Sequence, residues 1–143
     1  MGRLRLELPD HLRFAIRLTV RVTDINYGGH VGNDVVLAFC QEARAAFLGE
    51  LGFRELDVDG LGIIVADAAV MYRSESFAGE RLEIALDATD HNRYGCDIVY
   101  RLTEVESGRE IARAKTGIVF FDYGARRVAK APPIFRERLE STL

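Results

Sequence analysis

The chain has 143 residues, of which 48% are hydrophobic, and a formal net charge of −3; this suits one domain around one core and is too apolar for a disordered chain. The acidic balance and the scatter of the basic residues argue against nucleic acid and membrane surfaces as partners, and no apolar run approaches bilayer length. Met1 to Glu7 has no signal-peptide apolar core, and Leu6 stands where a myristoylated Gly2 needs Ser or Thr.

Residues 1–12 are read as an irregular lead-in broken by Pro9. From Arg13 the pattern alternates: Phe14, Ile16, Leu18, Val20 and Val22 on one face, Arg13, Arg17, Thr19 and Arg21 on the other, which predicts a half-buried strand. A loop follows, Thr23 to Gly32, with Gly28, Gly29 and Gly32 in it. Between Asp24 and Asp34 stand two acids, two amides, one His and three glycines. So polar a loop costs ordering and desolvation, and is best understood as a site. Asn33 is the expected N-cap and Asp34 an acid in the first turn of a helix reaching Leu51, stopped by Gly52. The apolar positions of this helix cover more than half its circumference at the start, so it is expected to be buried.

After a charged loop at residues 52–61, turn signals separate a series of strands. Ile63 to Tyr72 is a strand interrupted only by Asp67, and Ser74 to Gly79 a turn region. Leu82, Ile84, Leu86 and Ala88 alternate with Arg81, Glu83, Ala85 and Asp87. Asp90 to Gly95 turns; Cys96, Ile98, Tyr100 and Leu102 then alternate with Asp97, Val99 and Arg101. Glu106 to Arg109 is a hairpin turn, Ile111 to Asp122 the last strand, and the basic, Pro-containing tail after Gly124 is expected to pack loosely. Short connections between successive strands predict an antiparallel sheet, and one buried helix against it predicts a single two-layer α+β domain over residues 1–143. Cys40 and Cys96 lie in apolar segments and are expected as buried thiols, with a cytoplasmic location as the default.

The order of elements, with Asp24, Asn26, Gly29, His30, Val31 and Asn33 in the loop and Ala43-Arg44 in the helix, resembles the hotdog-fold acyl-CoA thioesterases of the 4-hydroxybenzoyl-CoA thioesterase type. The resemblance spans nearly the whole chain. It implies a hotdog fold, an antiparallel sheet of about five strands around one long helix. It also implies hydrolysis of an acyl-CoA, a homodimer or a tetramer of dimers, and a site between subunits. Two positions depart from the pattern. Asn26 stands where many members have a catalytic Asp, and Gln41 where many have a helix Glu.

Thioester hydrolysis needs a polarised carbonyl, an attacking water and a way out for the thiolate. A helix N-terminus supplies the first through its N–H groups, and Gly28 to His30 with the first helical turn is the candidate oxyanion site. Asn26 holds a water or the thioester oxygen through its amide, or else closes an Asx turn. Asp34 is the remaining carboxylate for a general base, although a helix N-terminus weakens a base; the alternative is a dipole charge. His30 serves as acid or base, or orders the loop. Asp24 is read as structural. Glu42, two turns beyond Asp34 and rotated by about 80°, is placed on the same cavity or in an ion pair. Tyr27, Gly28 and Gly29 are candidate substrate contacts, Tyr27 as a cap on the acyl pocket, and Arg93 a candidate phosphate contact. No metal and no cofactor beyond coenzyme A within the substrate is expected. The alternatives are a non-catalytic acyl-CoA or acyl-carrier binding module, and a hydratase/dehydratase using His30 with Asp34.

Overall fold

A computed structural model describes residues 1–143. The chain runs β1 (Phe14–Thr19), a 3-10 turn (Val22–Asp24), α1 (Asn33–Glu50), β2 (Gly62–Tyr72), β3 (Arg81–Thr89), β4 (Gly95–Glu104), β5 (Glu110–Asp122), β6 (Arg127–Val128) and α2 (Pro133–Thr142). The sheet is antiparallel throughout, in the order β1-β3-β4-β5-β2, with the two-residue β6 on β5. Five long strands are as predicted; β6 is an addition. The short connection at residues 73–80 does not join neighbours. It carries the chain from the β2 edge to β3, passing the amino end of α1, where Val31 N–H donates to the Ser76 carbonyl.

Period-two alternation turns one face of β3, β4 and β5 toward α1. Leu82, Ile84, Leu86, Tyr100, Leu102, Ala112 and Ala114 are fully buried there against Cys40, Ala43 and Phe47 of the helix. The opposite face carries ion pairs between neighbouring strands: Arg17 with Glu83 at 3.3 Å, and Lys115 with Asp67 and Asp97 at 2.8 and 3.1 Å. The lead-in lies over that face, the Leu6 and Pro9 carbonyls accepting from Arg113 and Arg101. Asp87, placed by alternation on the polar face, is nonetheless buried because Arg13 covers it with a two-pronged ion pair at 2.9 and 3.0 Å.

Several expectations need correction. β1 ends at Thr19 instead of running to Val22, because the backbone turns into the 3-10 segment and leaves Val22 81% exposed. Gly32, in extended conformation, is the N-cap, and Asn33 is the first helical residue. Helix α1 is buried on one face only; Asp34, Ala38, Gln41, Glu42, Ala45, Ala46 and Gly49 are exposed on the other. Gly52 stops the helix as expected, at φ +85°. Asp67 interrupts β2 by a bulge, its carboxylate taking the Gly117 N–H at 3.1 Å. The tail does not pack loosely. Pro133 sits in the first turn of α2, and Phe135 and Leu139, one turn apart, enter the core. Arg138 donates to the Leu51 carbonyl at 2.9 Å, joining α2 to the end of α1.

Candidate active site

The loop between β1 and α1 is held by its own polar groups. Asp24 is buried; its carboxylate accepts the Arg21 backbone N–H at 2.8 Å and the Arg21 guanidinium at 3.1 Å, and its carbonyl accepts Gly32 N–H. Burial pushes the Asp24 carboxyl up, but the Arg21 contacts outweigh it and hold its pKa below the ordinary value. Asp24 thus has the structural role expected of it. Asn26 and His30 close the loop tip: Asn26 N–H donates to the His30 carbonyl at 2.9 Å, and Gly28 N–H to Asn26 Oδ1, also at 2.9 Å. The second bond is an Asx turn. Gly29 N–H donates to the Asn26 carbonyl with φ at +82°, a conformation that suits glycine.

Gly28 marks a convergence. A Cβ built there would stand 3.1 Å from His30 Nε2 and 3.2 Å from Asn26 Oδ1. The two side chains therefore flank its α-carbon, and the structure brings Asn26, Gly28 and His30 together. The Gly28 and Gly29 N–H groups are used inside the loop, so they are not free to polarise a carbonyl. The N–H groups of Asn33 and Asp34 donate to no backbone carbonyl, as the first N–H groups of a helix must. These two are the available oxyanion donors, with the helix dipole behind them.

A cavity of about 410 Å³ opens at this end of α1, lined by His30, Val31, Asn33 and Val36, by Tyr72 to Ser76, and by Ile111. Its far wall is the end of β2 and the connection to β3. Tyr72 donates its hydroxyl to the Asn33 carbonyl at 2.8 Å. Burial, and then the nearby Asp34 charge, push the Tyr72 phenol pKa up, so it stays a donor. Ser74 donates to the Glu110 carbonyl at 2.8 Å, which pins this wall to β5, and Ser76 to Glu80 at 3.0 Å, which closes the connection on itself just before β3.

Not every expected site residue lies here. Asp34 folds back over Gly32, its Oδ1 2.8 Å from where a Gly32 Cβ would be, and lines neither this cavity nor the next. Glu42 lines a separate cavity of about 560 Å³ along the flank of α1, with Arg21, Asp24, Gln41 and Glu55. Asp34 and Glu42 therefore do not border one cavity within the protomer. Tyr27 is fully exposed and neither packs nor caps a pocket. Arg93 stands in the β3–β4 turn, beyond the end of β3 away from the loop. Its guanidinium lies 5.5 Å from the Tyr94 ring centroid, beside a cleft with His91, Lys130 and Arg136. Cys40 and Cys96 are buried, unpaired, and pushed by burial up to about 12, far from thiolate reactivity at neutral pH.

Residues 20–139 match the profile of the thioesterase-like superfamily. The chain belongs to that superfamily. No match to its sequence is found among curated proteins. Solved structures share its fold. A 1,4-dihydroxy-2-naphthoyl-CoA thioesterase from Synechocystis superposes with a TM-score of 0.80 at 22% identity, over 88% of this chain and 94% of that one. A gentisyl-coenzyme A thioesterase superposes at 0.77 and 20% identity, over 86% and 99%. A hypothetical protein from Aquifex aeolicus gives 0.77 at 21%, over 88% and 98%. The hotdog fold of the thioesterase-like superfamily is thereby established for this chain.

The sequence reading of this superfamily member missed one wall of its cavity. From their sequence alone, Tyr72 is a strand end and Ser74, Glu75 and Ser76 a turn. The available signal was polarity. Ser-Glu-Ser after Tyr-Arg has no Gly, Asn or Pro, which a tight hairpin between neighbouring strands prefers.

Proposed function

We propose that this chain hydrolyses the thioester of an acyl-CoA to a free acid and coenzyme A. One observation carries the reading: the free N–H of Asn33, with that of Asp34 next to it in the first helical turn, stands at a cavity lined by Asn33, His30 and Tyr72, and Asn26 and Gly28 pack against His30. Asn33 and Asp34 N–H groups polarise the carbonyl. Gly28 and Gly29 let the thioester approach the backbone, and the free NH2 of Asn26 orients it. The family and the acyl-CoA thioesterases among its structural neighbours support the same chemistry. The mechanism calls for no metal or redox cofactor, because backbone donors polarise the carbonyl and coenzyme A arrives within the substrate.

The test is free-thiol release from short, long and aromatic acyl-CoAs by wild type and Asn26→Ala. Turnover on at least one substrate is expected, with kcat/KM lowered about 30-fold in Asn26→Ala, the scale of losing one oriented donor and a loop-closing bond. The amides at Asn26 and Gln41 favour a second reading, a non-catalytic acyl-CoA or acyl-carrier binding module. Acyl-CoA that raises the melting temperature without turnover would select it. A hydratase using His30 with Asp34 has less support, since the acid within 4 Å of His30 is Glu75, at 3.8 Å.

The same reading makes the protein a homodimer. β2 is an unpaired edge of 11 residues with Val65, Ala66, Ala68 and Tyr72 exposed, a template for pairing with a second copy. Pairing there would bring a partner's surface to Tyr72, which lines the cavity. The charged outer face of the sheet disfavours a tetramer built through that face. Sedimentation should give twice the chain mass, and Ala68→Pro, which breaks the edge, should shift it toward monomer. Two unpaired thiols support a reducing, cytoplasmic setting, and no helix is long and apolar enough to cross a membrane. Arg93 stays a candidate phosphate contact, with Lys130 and Arg136 in the same cleft.

A further inference from the structure

The cavity at the amino end of α1 has one carboxylate in its wall, Glu75. Neither acid considered from the sequence reaches it, since Asp34 turns back over Gly32 and Glu42 lines the other cavity. The orientation of His30 gives Glu75 its meaning. His30 Nδ1 is 3.0 Å from the Val31 carbonyl oxygen. A carbonyl only accepts, so Nδ1 carries the proton and Nε2 of the neutral ring is an acceptor. Nε2 lies 3.8 Å from Glu75 Oε2. Two acceptors at that separation do not bond each other, but one water bonds both by donating a proton to each, with modest bending at about 2.8 Å per bond.

We propose that Glu75 is a catalytic residue, holding together with His30 the water that attacks the thioester. This rests on the hydrolase reading and names the carboxylate that reading lacks. With both water protons engaged, the oxygen lone pairs are free to attack. The C–O bond forms, the carbonyl π pair moves onto the oxygen facing the Asn33 and Asp34 N–H groups, and one water proton passes to Nε2. The resulting imidazolium is stabilised by the Glu75 carboxylate. Collapse breaks the C–S bond, and the Nε2 proton goes to the departing sulfur, leaving the carboxylic acid and the coenzyme A thiol.

Glu75 is built into place by its backbone. Its carbonyl accepts Arg109 at 3.0 Å, the Ser74 N–H donates to Ile111, and the Ser76 carbonyl accepts Val31 N–H. Its side chain is 64% exposed and forms no hydrogen bond in the fold. Replacing that side chain therefore tests chemistry with little effect on structure.

The experiment measures kcat, KM and melting temperature for wild type, Glu75→Gln and Glu75→Asp on the best acyl-CoA of the panel. Glu75→Gln should lower kcat about 100-fold, the scale of a lost acid–base partner. KM should stay within about twofold and the melting temperature within about 1 °C, as for an exposed surface position. Glu75→Asp should recover part of kcat. An active wild type with Glu75→Gln within about threefold of it would overturn the role of Glu75 and leave the hydrolase reading standing. So would an effect confined to KM, or a fall in kcat matched by a fall in melting temperature. A wild type that hydrolyses no acyl-CoA would overturn both.

Discussion

Gly95→Ala should destabilise the protein by at least about 4 kcal/mol, the range reserved for severe packing damage, and lower the melting temperature by about 15 °C. Gly95 opens β4 directly over the β5 backbone, paired with Val119. A Cβ at this position would run into the Ile118 carbonyl oxygen and stand 2.8 Å from Ile118 C and 3.0 Å from Val119 Cα. The obstacle is backbone, so no rotamer change relieves it. The strands would have to separate where Phe120 N–H donates to the Tyr94 carbonyl, and the turn before β4 cannot shift freely, because Asn92 Oδ1 accepts both Tyr94 and Gly95 N–H. Gly49→Ala is the matched control. It lies on the exposed face of α1 with open space around its Cβ, and should stabilise by about 0.5–1 kcal/mol, since glycine is a poor helix former. Calorimetry on both variants checks the pair; a Gly95→Ala protein within about 2 °C of wild type would mean that β4 and β5 rearrange at little cost.

Arg44→Ala should remove about 3 kcal/mol, the lower end for breaking a buried ion pair, because Glu55 keeps some water. Arg44 is 5% exposed at the middle of α1. Its Nε donates to Glu55 at 2.9 Å and its Nη1 to the Tyr100 hydroxyl at 3.3 Å, and that hydroxyl shares a proton with Thr116 at 2.7 Å. The chain of bonds crosses from helix to β4 and β5 and out to the loop after α1. Burial opposes the Arg44 charge, but Tyr100 and Glu55 outweigh it, so the guanidinium stays charged. Burial also pushes Tyr100 up to about 12, so its hydroxyl stays protonated. Glu55→Gln should cost about 1 kcal/mol, and the double variant less than the sum, by about 1 kcal/mol of coupling. Urea unfolding of the four proteins measures it. Strict additivity would show that Arg44 stabilises by filling space, with no energetic role for the pair.

Arg44 also shows where motif and structure part company. It belongs to the Ala-Arg pair on which the resemblance rests, yet it lies in the core and lines neither cavity beside the helix. The candidate site was legible in the loop itself. Its density of Gly, Asn, Asp and His between a strand and a helix pointed to Asn26, Gly28 and His30, which do meet. Asp34 was legible as an acid in the first turn, but the direction of its side chain was not. Glu42 and Asp34 share a helix and a rough angular sector, yet Glu42 lines the cavity beside the end of β1 while Asp34 turns back over Gly32 and lines neither cavity.

Local patterns along the chain are enough to specify the elements and their faces. Alternation in β3 and β5, the apolar register of α1 and the stop at Gly52 are local patterns, set by the geometry of two or four neighbouring residues. The hotdog arrangement followed from their order together with the loop motif. Long-range packing alone selects the pairing of β2 with β5 in place of its sequence neighbour β3, and the anchoring of α2 through Phe135 and Leu139. The same long-range pairing sets Glu75 opposite His30. These are contacts between residues more than 40 positions apart (Glu75 with His30, 45 apart; Met71 with Arg113, 42 apart). No local periodicity reports such a contact, because the energy that selects it comes from burying a shared face and closing a ladder, and exists only once both partners are in place.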